Sequence, residues 1–141
     1  GLFGNQQIVS VAMGQLGNSG GQKFWSWYGF ESRVEWCACF ASWCAEQSGM
    51  VASGQVLKFS SCAVGASWFQ GQGRWKGKGY TPSAGDFIFF DWNKDGQVDH
   101  VGIVVNVANG RVNTIEGNTS NMVARRSYQF GGIVIVGYGY I

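Results

Sequence analysis

His100-Val101-Gly102-Ile103-Val104-Val105-Asn106-Val107-Ala108, then Asn109-Gly110, then Arg111-Val112-Asn113-Thr114-Ile115-Glu116, is two β-branched-rich runs joined by a dipeptide favoured in two-residue hairpin turns. If Asn109 and Gly110 make the turn, Ala108 faces Arg111, and an unbroken count back places His100 opposite Thr119 and near Asn118. Further short runs at 86–90, 123–128 and 133–138 flank this hairpin, separated by turn residues at 93–97, 117–121 and 131–132. Such short connections demand antiparallel neighbours.

Upstream of Pro82 the pattern is helical. Over 5–16, Ile8, Val9, Ala12, Met13 and Leu16 recur at helical spacing, with Asn5 as N-cap and Gly17 as stop. Over 34–48, Cys37, Phe40, Ala41, Cys44 and Ser48 do the same, Gly49 ends the run, and Cys37 falls in the first turn. A further helical segment is expected over 64–70, with Trp68 and Phe69 turned to the core. The stretch 18–33 carries several glycines and Phe24, Trp25, Trp27, Tyr28 and Phe30 without a clear period, so it is expected to be a loop. Its aromatics suit a substrate groove and a core equally well. Helices followed by an antiparallel sheet of about five to six strands give an α+β fold in one domain, 1–141.

The chain has 141 residues, 45% hydrophobic and 13% charged, with a net charge of +2. No apolar run is long enough to span a membrane, so no membrane insertion is expected. The mild charge gives no support for nucleic acid as a partner. Arg74, Lys76 and Lys78 lie in a Gly-rich stretch that suits a solvated loop. The chain begins with Gly and shows no leader, as expected of a monomeric catalytic domain taken from a larger protein.

Four cysteines stand at 37, 39, 44 and 62. Their spacing fits neither paired zinc motifs nor staples between distant segments, and a free reactive thiol fits better. A thiolate is favoured at a helix N-terminus, where unpaired N–H groups can also stabilise an oxyanion. Cys37 has that position. His100 is the one histidine and titrates near neutrality, which suits proton transfer. Glu116-Gly117-Asn118, across the hairpin, supplies an acceptor for its ring.

The strings Glu35-Trp36-Cys37-Ala38-Cys39-Phe40-Ala41-Ser42-Trp43-Cys44, the stretch 82–90, Asp99-His100-Val101-Gly102-Ile103-Val104 and Thr114-Ile115-Glu116-Gly117-Asn118 resemble the CHAP family of cysteine, histidine-dependent amidohydrolases and peptidases. That family lies within the papain-like NlpC/P60 group. The resemblance implies a papain-like fold, Cys37 as nucleophile, His100 as its proton-transfer partner, and Glu116 and Asn118 as residues orienting His100. It further implies a peptidoglycan hydrolase, an N-acetylmuramoyl-L-alanine amidase or an endopeptidase acting on a stem peptide or cross-bridge. Such an enzyme is secreted, acts at the cell wall, or is released by phage at lysis. The same residues could serve a protease or deamidase acting on proteins, and a non-catalytic wall-binding module is a further alternative. Cys39 and Cys62 match no functional position and are taken as packing residues.

Asp91, Asn93, Asp95, Gly96, Gln97 and Asp99 copy the first nine positions of a calcium loop, although Gly102 replaces the closing Glu. The expected chemistry requires no cofactor, and calcium on Asp91, Asn93, Asp95, Gln97 and Asp99 is weighed against a plain Asp/Asn-rich turn.

Overall fold

The structure, a computed structural model, describes residues 5–141. Among these, four helices, α1 (Gln6–Met13), α2 (Gln22–Tyr28), α3 (Cys37–Gln47) and α4 (Cys62–Gly71), precede all six strands. The strands are β1 (Trp75–Gly77), β2 (Phe87–Phe90), β3 (His100–Ala108), β4 (Arg111–Thr119), β5 (Met122–Gln129) and β6 (Ile135–Gly139). They form one antiparallel sheet in the order β1-β6-β2-β3-β4-β5. The fold is α+β, as the sequence implies. Its helices gather on one face, where Phe24, Phe40, Phe59 and Phe69 pack with Phe87, Phe89, Val101, Ile103 and Ile115. The opposite face carries a smaller cluster that includes Ile88, Phe90, Val104, Val112 and Tyr138.

Two expectations give way. The stretch 18–33 contains α2, set between Gly21 and Gly29, both at positive φ. Its four aromatics share one side and Gln22, Lys23 and Ser26 the exposed other, but seven residues make only two turns, too few for the period to repeat. Phe24 is fully buried, 5.7 Å from Trp36 and edge-on to Phe40 and Trp43, and so belongs to the core. The Gly-rich basic stretch contributes β1, paired with β6 through Trp75 opposite Gly139. This edge strand is three residues long, too short for alternation to be read.

The hairpin turn forms as expected, with Asn109 and Gly110 at φ 54° and 73° and Ala108 facing Arg111. The register does not run on unbroken. Asn106 pairs with Asn113 but Val104 with Thr114, so Val105 is an extra residue in β3. An unbroken count would set Glu116 opposite Ile103, on the face away from His100. The bulge instead brings Glu116 opposite Gly102, the face His100 shares, because a one-residue slip exchanges the faces of a strand. A Cβ on Gly102 would lie 2.6 Å from Glu116 Cγ. Gly102→Ala is therefore expected to displace the Glu116 side chain, costing about 1–3 kcal/mol of stability by overpacking and lowering activity. Thermal melting and turnover check the two effects separately.

Candidate active site

α3 begins at Cys37 and packs on β3 and β4. Trp36, its N-cap, makes no side-chain capping bond, so the first turn has no side-chain acceptor there to compete for its N–H groups. The segment before the helix is clamped to the β4–β5 turn. Arg33 Nε and Trp36 Nε1 donate to Asn121 Oδ1 at 3.0 and 3.1 Å, and Arg33 Nη2 donates to Asn118 Oδ1 at 2.8 Å. Asn118 in turn donates to the Glu35 carboxylate. A second bulge in β4, between Glu116 and Thr119, leaves Asn118 at φ 56° and aims it at this segment. The hydrogen bonds of Asn118 thus run to the approach to Cys37 rather than to His100.

His100, the first residue of β3, meets Glu116 through Nε2 and Oε1 at 2.8 Å. Both side chains are buried, Glu116 completely. The other carboxylate oxygen accepts hydrogen bonds from Thr114 Oγ1 at 2.5 Å and Tyr128 Oη at 2.7 Å. Sequence reasoning passed over both residues. Thr114 could have been found by parity, since it shares a strand face with Glu116, whereas Tyr128 arrives from the next strand, opposite Val112. Tyr128→Phe is expected to cost about 1.5–3 kcal/mol, because a carboxylate buried with one donor fewer is poorly satisfied. Urea unfolding of the two proteins checks it.

With Nε2 engaged by Glu116, the other ring nitrogen, Nδ1, serves Cys37. Hydrogen bonding from the Cys62 thiol, together with the His100 ring and the Val101 N–H, holds the Cys37 thiol well below its ordinary range despite burial. Burial pushes His100 down, but its bonds to Cys37 and Glu116 and their negative charge outweigh this and raise it to about 10. The two shifts belong to one pair, and their directions favour a thiolate facing an imidazolium. Burial raises Cys39 to about 11 and holds Cys44 well above its usual value.

Trp92 is 42% exposed and stacks on Phe90 at 4.6 Å, with its ring 5.5 Å from that of His100. The acidic loop places it there. Asp99 accepts from the Trp92 N–H, Asp91 from the N–H groups of Asp95 and Gly96, Asn93 from that of Asp95, and Asp95 from that of Gln97. Four of the oxygen-bearing side chains weighed for calcium thus accept hydrogen bonds from the loop's own backbone. Among the described residues, no group of three or more His, Cys, Asp or Glu side chains is gathered as for a metal.

A cysteine at a helix start, a histidine beside it and a buried carboxyl side chain behind form a Cys-His-acid arrangement suited to acyl transfer. The CHAP domain model matches residues 15–118. The chain belongs to the CHAP family. No curated protein matches it. Among solved structures, the crystal structure of Ly7917 with the hydrolyzing product of MDP aligns with a TM-score of 0.59 and 19% identity over 94% of this chain and 61% of that one. A second structure of Ly7917 gives a TM-score of 0.59 and 17% identity over 94% and 60%. The CHAP-family chain therefore spans about three fifths of the Ly7917 chains, and at this identity the likeness is one of fold.

Proposed function

We propose that this domain hydrolyses an amide bond of bacterial peptidoglycan through a thioester on Cys37. The observation that carries the reading is the buried line from the Cys37 sulfur through His100 to Glu116, at the start of a helix in a CHAP-family chain. The Cys37 thiolate attacks the carbonyl carbon, and first-turn N–H groups of α3 receive the oxyanion. Protonated His100 gives its Nδ1 proton to the departing amine. Water, deprotonated by the now neutral ring, cleaves the thioester and releases the acid and the thiolate. Glu116 holds the ring in this tautomer and stabilises its charge, while Asn118 secures the approach to Cys37.

Family membership and the fold shared with Ly7917, which was crystallised with the hydrolyzing product of MDP, support peptidoglycan as the substrate class. Either an N-acetylmuramoyl-L-alanine amidase or an endopeptidase of the stem peptide or cross-bridge fits this relay, acting outside the cell or at phage lysis. Mass spectrometry of fragments released from purified cell walls tests the reading, because each cleavage leaves a different new amine. Walls that yield no new amine, with protein substrates cut instead, would reject it.

A further inference from the structure

α3 and α4 each begin with a cysteine, and the two meet at the site: Cys37 Sγ and Cys62 Sγ are 3.5 Å apart. Ser61 caps α4, accepting from the Val64 N–H at 3.3 Å, which fixes the helix start that presents Cys62. Cys37 and Cys62 are 5% and 9% exposed, whereas Cys39 and Cys44 are fully buried. All four are free thiols. A disulfide spans about 2.05 Å between sulfurs, so this pair must close by roughly 1.5 Å from its present 3.5 Å. In the relay proposed for hydrolysis Cys62 serves only as a hydrogen-bond partner of the Cys37 sulfur and takes no part in bond making or breaking.

We propose that Cys37 and Cys62 form an oxidation site for small hydroperoxides, at which hydrogen peroxide converts the two thiols into an intramolecular disulfide. The Cys37 thiolate attacks one peroxide oxygen, the O–O bond breaks, and the departing hydroxide takes the proton of His100 as water. Cys37 is then a sulfenic acid. The Cys62 thiol gives its proton to neutral His100 and attacks the Cys37 sulfur, and the expelled hydroxide takes that proton as a second water. Two thiols and one peroxide thus yield one disulfide and two waters. The disulfide blocks the nucleophile reversibly and spares it from irreversible sulfinic acid. Only the loss of hydrolysis rests on the function proposed above; the bond itself does not.

The test is brief treatment of the wild type and of Cys62→Ser with a small excess of hydrogen peroxide over the two equivalents that a sulfinic acid consumes, followed by tryptic mapping without reductant. Cleavage after Arg33, Lys58 and Arg74 places Cys62 in peptide 59–74 and the other three cysteines in 34–58, so fragmentation of the linked pair identifies the partner. The expected result is a Cys37–Cys62 linkage, with activity lost in proportion and restored by dithiothreitol. Cys62→Ser, compared with its own reduced activity, should lose activity to peroxide without recovery, with Cys37 found as sulfinic acid. Inactivated wild type lacking the linkage, or wild type and Cys62→Ser recovering equally, would overturn the proposal. A linkage that forms while wall hydrolysis survives would uphold the site and reject Cys37 as the hydrolytic nucleophile.

Discussion

Cys37→Ser is expected to leave a folded domain whose turnover falls by at least about 10³-fold, because a serine hydroxyl in this setting has no comparable anionic form. The oxygen is smaller than the sulfur and remains beside His100, so the melting temperature should change little. In the wild type, brief iodoacetamide labelling should modify Cys37 first, with activity lost in parallel. Burial pushes the Cys39 thiol up to about 11 and that of Cys44 well above its usual value, while the bond to Cys37, followed by burial, raises Cys62. His100→Ala removes a cation beside the thiolate and should slow labelling at Cys37. Preferential labelling of Cys44, with activity surviving the loss of Cys37, would falsify the assignment of the nucleophile.

Glu116→Gln should lower kcat/KM by on the order of 10²-fold while the fold persists, since a neutral amide cannot stabilise protonated His100 as the carboxylate does. Its pH dependence gives the sharper reading. In the wild type burial opposes the charge on His100, but contact with Cys37 and Glu116 raises the group to about 10, so the imidazolium persists well above neutrality. Activity should therefore fall on the alkaline side as pH passes through that value, when the ring no longer has a proton for the leaving amine. Removing the carboxylate charge lowers this value and should move the alkaline limb toward neutrality. A pH–rate profile of kcat/KM for both proteins measures it, and coincident limbs would reject the role of Glu116.

Much of this site was legible because it depends on local chemistry. The position of Cys37 follows from helical spacing and Gly49, and that of His100 from the edge of a β-branched run. The Asn109-Gly110 turn follows from residues that tolerate positive φ. α2 was hidden because its seven residues make only two turns among glycines, too few for a helical period to repeat. Cys62 passed as packing because its partner is 25 residues away, and no local pattern encodes a distance across two helices. Asn118 was found by motif, but the direction of its side chain depends on a bulge.

The sequence by itself determined the α+β order of elements and the antiparallel hairpin, since periodicity and turn chemistry are local properties, and its motifs offered Cys37, His100 and Glu116 as candidates through their resemblance to the CHAP family. Only the tertiary structure decided which of these residues meet. Val105 interrupts the β3–β4 pairing and sets Glu116 on the face of His100, with room supplied by Gly102. Thr114 and Tyr128 then fix the far oxygen of the carboxylate, and the starts of α3 and α4 bring two sulfurs together. Side-chain direction reverses with each residue along a strand, so a single inserted residue governs whether His100 and Glu116 touch.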